Sequence, residues 1–212
     1  MDDKVLNLLR KTNSITENSH FVGTSGRHFA TYLNKDSLYP HTDETSQMAE
    51  LFAENYQDAN IEIVVGPALG GIILSTWVAH HLSKLTGREV LGIYTEKDAE
   101  KNQVFTRGYD KYVKGKNILV VEDFTTTGGS VKKTVNSVKN AGGNIVSVCV
   151  MVNRDPKLVT AEFMGAPFES LAVYEVPSYT AEECPLCKES VPINTSVGHG
   201  KKFLEEKANK DL

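Results

Sequence analysis

Two adjacent carboxylates stand immediately before a run of hydroxyl-bearing and glycine residues. The run reads Glu122-Asp123-Phe124-Thr125-Thr126-Thr127-Gly128-Gly129-Ser130. Carboxylates accept hydrogen bonds from hydroxyl groups, whereas threonine and serine hydroxyls and the backbone N–H groups of glycines can donate to an anion. The two glycines also let the backbone come close to a ligand. This combination suits a ligand with both a diol and a phosphate, such as a ribose 5-phosphate.

The flanking residues place this run between a strand and a helix. Residues 118–121 are apolar and partly β-branched, which is typical of a buried parallel strand. Val131, Val135 and Val138 recur on one face of a predicted helix that starts near Ser130. The first turn of a helix has backbone N–H groups without partners, and the helix dipole favours an anion there. We therefore expect the phosphate at the start of this helix.

A second glycine-rich loop follows an earlier predicted strand, residues 61–65. After Gly66 the chain reads Pro67-Ala68-Leu69-Gly70-Gly71 and then continues with a helical pattern. The glycines permit close approach of a ligand, and the free N–H groups at the helix start can bind a second anion. A tight turn without any ligand is an equally frequent reason for such a loop.

Strand-like and helix-like segments alternate along the chain. The predicted strands are residues 61–65, 90–94, 118–121, 145–152 and 171–176. This alternation predicts an α/β fold with a parallel central sheet flanked by helices, and ligands at the carboxyl ends of the strands. No G-x-G-x-x-G follows a strand and no Gly-Lys-Ser/Thr closes either loop, which argues against dinucleotide-binding and P-loop proteins.

Composition limits the remaining classes. The chain has 212 residues, 40% of them hydrophobic and 24% charged, as in a globular protein with one catalytic domain. The net charge of −4 and the scattered basic residues argue against a nucleic-acid partner. No apolar run approaches the ~18 residues of a membrane span, and the acidic N-terminus is unlike a signal peptide. We expect no membrane association and a cytoplasmic location.

The acidic pair with its Thr/Gly/Ser loop resembles the binding motif for phosphoribosyl pyrophosphate (PRPP) in the type I phosphoribosyltransferases. The resemblance implies that Glu122 and Asp123 hold the ribose hydroxyls, with Asp123 also catalytic, and that residues 125–130 hold the 5′-phosphate. The loop 67–71 would bind the pyrophosphate. It also implies Mg²⁺ bound mainly through PRPP, without metal ligands of its own in the protein, and a homodimer. The single domain, residues 1–212, would have its core at about 41–176 and a small hood from about 18–40 and the C-terminal segment.

Within this family, the segment from His20 to Phe29 is similar to the hood of the orotate phosphoribosyltransferases. The resemblance implies that Phe29 covers the base, that Arg154 holds the carboxylate of orotate, and that Lys35 faces the base or PRPP. A planar guanidinium can grip a carboxylate with two hydrogen bonds, which favours orotate over a purine. Two alternatives stay open: a phosphoribosyltransferase for another base, as in purine salvage, and a non-catalytic PRPP-binding regulator. For the regulator, the roughly 18 residues before His20 are few for a nucleic-acid-binding domain.

Residues 95–110 are polar and have no regular period until their end. We call them the lid segment and predict that they form a mobile lid, because long polar loops in compact domains are usually functional or disordered. The family resemblance implies that such a lid brings a lysine to the pyrophosphate, often in a neighbouring subunit. Lys97 and Lys101 are the candidates, together with Arg107 in an Arg-Gly-aromatic step, and the resemblance leaves open which lysine acts.

Cys184 and Cys187 have the spacing of half a zinc site. A structural zinc ion needs four ligands, and the sequence has no second cysteine pair, so a second subunit or His199 would have to complete the site. No metal-ligating residues are therefore predicted, and zinc binding by the cysteines is left open. The charged segment from Lys201 onward is expected to fray.

Overall fold

The computed structural model of the protein describes residues 2–23 and 26–209. Thr24 and Ser25 of the predicted hood, and the last three residues of the tail, lie outside the described residues. A six-stranded sheet forms the centre of the molecule. Its strands are β5 (Ile63–Pro67), β6 (Leu91–Lys97), β7 (Gln103–Val104), β8 (Asn117–Thr125), β9 (Asn144–Asn153) and β10 (Phe168–Val173), in the order β10-β9-β8-β5-β6-β7. All five predicted strands are present, and they pair in parallel, which confirms the predicted α/β architecture.

Helices cover both faces of the sheet. They are α1 (Asp2–Lys11), α2 (Thr42–Tyr56), α3 (Gly70–Thr86), α4 (Asp110–Val113), α5 (Gly129–Asn140), α6 (Ala161–Met164), α7 (Pro185–Lys188) and α8 (Gly200–Ala208). Helices α3 and α5 coincide with the predicted helical segments. None of the helices in the described part of the chain is long and apolar enough to cross a membrane.

The sheet has a buried core on each face because alternate residues of a strand point to opposite sides. Val64 and Leu119 contribute to the core under α1, α2 and α3, whereas Val65 and Val120 contribute to the core under α5. The central strands β5 and β8 are buried on both faces and contain the aliphatic runs 63–65 and 118–121, as is typical of parallel strands covered by helices. The aliphatic run that predicts β8 therefore also explains its central position.

Two short antiparallel hairpins precede the core, in the region predicted as the hood. Strand β1 (Ile15–Thr16) pairs with β4 (Tyr32–Leu33), and β2 (Phe21–Val22) pairs with β3 (His28–Phe29). The C-terminal segment lies against them, because backbone hydrogen bonds join His28 to Tyr179 in both directions and run from Asn194 N–H to the His20 carbonyl. The charged tail forms α8, so the prediction that it frays is wrong up to Ala208.

The lid segment differs from its prediction, since it contains regular structure. Strand β6 extends through Lys97 and turns back as β7, antiparallel to it. Asp98 shapes the turn, because its carboxylate accepts the backbone N–H groups of Glu100 and Asn102. The Thr95 hydroxyl donates to the Gln103 side chain between the strands. Polar side chains stabilise this hairpin, so it has no hydrophobic alternation from which the sequence could predict strands.

Candidate active site

A cavity of about 670 Å³ lies where the parallel strands end. The segments after β5, β8 and β9, the end of β6, and the segment from β4 to a 3-10 turn at Lys35–Ser37 build its wall. The predicted site residues that line it are Lys35, Ala68, Leu69, Gly70, Lys97, Glu122, Asp123, Thr126, Ser130 and Arg154. The fold thus brings together most of the predicted site from segments that are far apart in the sequence.

The acidic pair lies at the end of β8 and is buried, with Glu122 8% and Asp123 4% exposed. Lys35 Nζ lies 3.6 Å from Asp123 Oδ2, and the Tyr39 hydroxyl donates to the same oxygen at 3.1 Å. Backbone N–H groups also donate to both carboxylates, from Asp123 to Glu122 and from Phe124 to Asp123. Lys35, predicted at the base or PRPP, is therefore an ion-pair partner of Asp123.

Burial raises the pKa of both carboxyl groups. For Glu122 the nearby Asp123 raises the pKa further, and no cation lies within salt-bridge distance among residues 2–23 and 26–209. For Asp123 the charge of Lys35 and the hydrogen bonds from Phe124 and Tyr39 act in the opposite direction to burial. Burial and the Asp123 charge also raise the pKa of Tyr39, which stays a hydrogen-bond donor. Both carboxylates gain from a ligand that donates hydroxyl protons to them.

The hydroxyl-rich run forms the turn from β8 into α5. A smaller cavity of about 170 Å³ lies within it, lined by residues 125–131 together with Glu122 and Phe124. Thr125 is buried, whereas Thr126, Thr127, Gly129 and Ser130 are exposed. Gly128 has a φ of 68°, and a Cβ there would lie 2.7 Å from the ring of Phe163, so both backbone conformation and packing require glycine. The turn presents hydroxyl groups and the first N–H groups of α5 to one small space.

The second glycine-rich loop is tightly packed against the first site. A Cβ at Gly70 would lie 1.8 Å from Asp123 Oδ2, and a Cβ at Gly66 would lie 2.0 Å from the Gly71 carbonyl oxygen. Pro67 ends β5 and contacts Gly71, while Ala68 and Leu69 lead along the cavity to the start of α3. Helix α3 therefore begins beside the acidic pair, and this position suits a second anion.

Arg154 follows β9 directly and lines the cavity. Its backbone N–H donates to the Thr125 carbonyl oxygen at 2.8 Å, which holds it beside the end of β8. The guanidinium lies 5.7 Å from the centre of the Phe29 ring, and burial lowers the pKa of Arg154. Its Nε is buried without a hydrogen-bond partner, and no described carboxylate lies within salt-bridge distance. A partly buried cation in this setting can bind an anionic group of a ligand.

Phe29, predicted to cover the base, lies behind the cavity wall rather than on it. Tyr32 lines the cavity instead, and its ring stacks on Phe29 with an interplanar angle of 11°. The order from cavity to interior is thus Tyr32, then Phe29. Phe29 supports both Tyr32 and the Arg154 guanidinium.

The β6–β7 hairpin separates the three predicted lid residues. Lys97 lines the cavity and its charge acts on Glu122. Lys101 lies at the hairpin turn with a φ of 62°, and its carbonyl oxygen accepts the Lys133 ammonium on the side of α5. Arg107 donates two hydrogen bonds to Glu96, at 3.0 and 3.1 Å, and this glutamate lines the cavity. Only Lys97 of the three reaches the cavity wall.

Seven residues that line the cavity or contact the acidic pair are missing from the predicted site: Tyr32, Leu33, Asn34, Asp36, Tyr39, Glu96 and Phe124. Tyr39 follows Lys35 by one helical turn, and that spacing is the only sequence feature that could have linked the two. Phe124 stands within the acidic run itself, between the pair and the threonines. Tyr32 reaches the cavity because β4 pairs with β1, and no local sequence pattern predicts this pairing.

The comparisons with known proteins agree with this geometry. A family model described as "Phosphoribosyl transferase domain" matches residues 34–162, more than half of the chain. The orotate phosphoribosyltransferase of Caldanaerobacter subterraneus subsp. tengcongensis is 35% identical over 191 residues, which are 90% of this chain and 94% of the relative. That of Thermotoga maritima is 35% identical over 196 residues, which are 92% of this chain and 98% of the relative.

A solved structure shares the fold. It is the orotate phosphoribosyltransferase of Mycobacterium tuberculosis H37Rv in complex with PRPP, which is 24% identical and has a TM-score of 0.60. The match covers 81% of this chain and 96% of that chain. The chain is therefore similar in sequence to the first two proteins over most of its length, and similar in fold to the third.

Glu122→Gln is expected to stabilise the protein without ligand at neutral pH. Because the pKa of Glu122 is raised on folding, the unfolded chain binds fewer protons than the folded one, and stability falls as pH rises through this range. The amide removes this cost and still accepts the Asp123 N–H. We expect a gain of about 1–2 kcal/mol, or roughly 2–6 °C in Tm at pH 8, which shrinks toward pH 4.

Thermal denaturation at several pH values measures this effect, with Glu62→Gln as the matched control. Glu62 is paired with Lys116, which lowers the pKa of its carboxyl group, so the same substitution there cannot raise the Tm by this route. A lower Tm for Glu122→Gln than for the unmodified protein at pH 8 would contradict the conclusion that the buried, ionised Glu122 destabilises the protein without ligand.

Proposed function

We propose that this chain, which belongs to the family of orotate phosphoribosyltransferases, transfers the phosphoribosyl group of PRPP to orotate. The products are orotidine 5′-monophosphate and pyrophosphate, a step of pyrimidine biosynthesis. The fold is that of the type I phosphoribosyltransferases. The observation that supports orotate is Arg154, a partly buried cation without a carboxylate partner in the described chain, at the wall of the same cavity as the acidic pair.

The acidic pair and the two loops form the PRPP site in this proposal. Asp123 and Glu122 accept hydrogen bonds from the 2′- and 3′-hydroxyls of the ribose. The turn of residues 125–130 and the start of α5 bind the 5′-phosphate through hydroxyl and backbone N–H groups. The loop of residues 67–71 and the start of α3 bind the pyrophosphate. The raised carboxyl pKa values support the diol assignment, because hydroxyl donors stabilise the ionised form of both groups.

The base site uses Arg154, Tyr32 and the segment around Lys35. Arg154 grips the carboxylate of orotate through its guanidinium, and Phe29 holds the guanidinium from the opposite side. Tyr32 offers an aromatic face at the cavity wall. Lys35 keeps its ion pair with Asp123. Its positive charge lowers the free-energy cost of placing the anionic orotate near the two carboxylates.

The donor set fits Mg²⁺ carried mainly by PRPP. This ion prefers oxygen ligands and keeps several of its waters, and the cavity wall presents the carboxylate oxygens of Glu122 and Asp123. When bound, Mg²⁺ supplies positive charge that offsets the developing charge on pyrophosphate. Lys97 and the N–H groups at the start of α3 act on the same charge from the protein side.

The reaction is a displacement at the anomeric carbon of the ribose. The bond to the pyrophosphate oxygen breaks, and a bond to a nitrogen of orotate forms. The protein positions the two substrates, stabilises the negative charge that develops on pyrophosphate, and excludes water. Lys97 is the cation of the lid segment that we assign to this charge, because it lines the cavity and Lys101 does not.

Three further expectations belong to this proposal. The protein acts as a homodimer, as the family resemblance implies, and in the cytoplasm. The hood comprises residues of about 18–40 and the C-terminal segment, around a core of about 41–176. These statements stay predictions.

An activity assay tests the proposed reaction directly. The purified protein is mixed with Mg²⁺, PRPP and orotate, and the loss of orotate absorbance is followed, with uracil, hypoxanthine and adenine in parallel. We expect turnover of orotate alone, because uracil lacks the carboxylate that Arg154 would hold. Turnover of a purine instead would overturn the base assignment. Binding of PRPP without any turnover would favour a regulator.

Arg154→Gln is expected to raise the KM for orotate by roughly 10–100-fold and to change the KM for PRPP little. The loss of a hydrogen bond to a charged group costs about 1.5–3 kcal/mol, which corresponds to this range. Asp123→Asn is the complementary variant and should raise the KM for PRPP while that for orotate changes less. Initial-rate kinetics with each substrate varied measure both effects. Equal effects of Arg154→Gln on the two substrates would contradict a role in base recognition.

Lys97→Met is expected to lower kcat/KM by roughly 10²-fold, since it removes a charge that stabilises the leaving group. Lys101→Met is the matched control in the same hairpin, and we expect a much smaller effect because Lys101 is not part of the cavity wall and its carbonyl oxygen accepts the Lys133 ammonium of α5. Both variants are assayed at saturating orotate. A larger loss for Lys101→Met would reverse the assignment and indicate that the hairpin turn serves the site of a neighbouring subunit.

A further inference from the structure

Two histidines of the first hairpins and two cysteines of the C-terminal segment meet in one buried cluster. His20, His28 and Cys184 are buried, with exposures of 1%, 0% and 0%, and Cys187 is half-buried. One ligand-type atom from each side chain lies within 4.8 Å of the other three. The cluster is away from the cavity, whose wall contains none of these four residues. The proposed reaction therefore does not account for it.

Three of the distances between ligand atoms fit tetrahedral coordination. With Zn–N bonds of about 2.0–2.1 Å and Zn–S bonds of about 2.3 Å, neighbouring ligand atoms are about 3.3–3.8 Å apart. His20 Nε2 lies 3.7 Å from Cys184 Sγ and 3.8 Å from Cys187 Sγ, and Cys187 Sγ lies 3.4 Å from His28 Nδ1. The two nitrogens are 2.7 Å apart, so an ion between them would separate them by about 0.6 Å.

A hydrogen bond outside the cluster sets the tautomer of His20. Its Nδ1 lies 2.8 Å from the Val191 carbonyl oxygen, and only a protonated Nδ1 can donate there. The lone pair is therefore on Nε2, which points into the cluster. Metal-bound histidines usually donate their other N–H to a carbonyl or carboxylate in this way.

As a purely hydrogen-bonded group, the four side chains satisfy each other poorly. If His20 Nε2 carries the lone pair, the one strong hydrogen bond that the four side chains can make among themselves runs from His28 Nδ1–H to His20 Nε2. His28 Nε2 has no described partner whether or not an ion is bound. Thiols are weak donors and acceptors and add little. A divalent cation would instead give each of the four atoms a strong bond, and two thiolates would balance its charge.

We propose that His20, His28, Cys184 and Cys187 bind one structural zinc ion that links the N-terminal hairpins to the C-terminal segment. The set of two nitrogen and two sulfur ligands favours zinc over magnesium or calcium. All four positions are filled by protein, so the site is structural and not catalytic. His199, considered above as a completing ligand, is exposed and is not part of the cluster.

The local structure of both segments positions the ligands. Cys184 precedes Pro185 at the start of α7, and one helical turn brings Cys187 to the same side. His28 lies in β3, whose backbone pairs with Tyr179, and His20 pairs through its carbonyl with Asn194. Phe203 of α8 packs its ring against His28 at an angle of 82°. The ion would thus lie inside a ready-made junction of β2, β3, α7 and α8.

The proposed zinc has a consequence for the base site. His28 is followed directly by Phe29, which contacts Arg154 and Tyr32. Fixing His28 to the C-terminal segment therefore fixes the residue that supports the guanidinium. This effect is indirect, and the zinc proposal stands or falls independently of the proposed reaction.

Metal analysis of the full chain tests the proposal without any activity assay. The protein is purified without chelators, under reducing conditions, and its zinc content is measured by inductively coupled plasma mass spectrometry. We expect about one zinc per chain. Replacement of zinc by Co²⁺ should give a thiolate-to-cobalt charge-transfer band and the visible bands of tetrahedral Co²⁺. A protein that holds no zinc as purified and none after incubation with one equivalent of Zn²⁺ would overturn the proposal.

Variants assign the ligands. Cys184→Ser and Cys187→Ser should lose zinc, whereas His199→Ala, in the same C-terminal segment, should keep it. A zinc-selective chelator should lower the Tm of the unmodified protein by roughly 5–10 °C and leave that of Cys187→Ser unchanged. If the cysteine variants do not fold, the zinc content and the cobalt spectrum of the unmodified chain still show whether the protein binds zinc through thiolates. Loss of zinc in His199→Ala, or a disulfide between Cys184 and Cys187 in the purified protein, would contradict the proposed ligand set.

Discussion

The burial of two adjacent carboxylates at the end of the central strand is the constraint on which the site depends. Removing such groups from water is costly unless cations or hydrogen-bond donors reach them. Asp123 obtains Lys35 and Tyr39, both from the segment after β4. In the described part of the chain, Glu122 obtains a backbone N–H and the more distant charges of Lys35 and Lys97. The pair is therefore incompletely compensated by the protein itself, and a ligand with hydroxyl donors completes it.

This constraint also determines what can lie beside the pair. Gly70 leaves no room for any side chain because Asp123 Oδ2 occupies that position. The start of α3 is thereby held against the carboxylates, and the start of α5 follows them in the chain. Two helix N-termini with partial positive charge thus flank two negative groups. A ligand that joins a diol to phosphates at both ends matches this alternation of charge, and a simple anion does not.

From residue chemistry alone, the sequence predicts the parts of the site that consecutive residues form, whereas Lys35, Lys97 and Arg154 are assigned through the family resemblance. The run 122–130 includes its own strand end, turn and helix start, so its chemistry and its position can be inferred together. Tyr39 and Tyr32 reach the site through contacts between distant segments, and no local pattern indicates them. The sequence of the lid segment does not predict its hairpin. Asp98 and Thr95 stabilise this hairpin through hydrogen bonds, and it lacks the alternation of apolar residues by which strands are recognised. Cys184 and Cys187 form a recognisable pair, but their histidine neighbours are separated from them by most of the chain.

The same distinction separates the proposed phosphate sites from the proposed base site. The phosphate sites need only a strand, a turn and a helix, and the buried sheet holds these rigidly. The proposed base site needs Arg154 after β9 and Phe29 from a two-residue strand that belongs to neither of the two cores of the sheet. Isolated hairpins of this size are marginal in water, so their position has to be set by other parts of the chain. The C-terminal segment supplies backbone pairs to His20 and His28, and their side chains meet its cysteines. In the proposed function, base specificity therefore depends on the junction between the hairpins and the C-terminal segment. The proposed PRPP site is built mainly at the ends of the sheet strands, with Lys35 and Tyr39 added from the segment after β4.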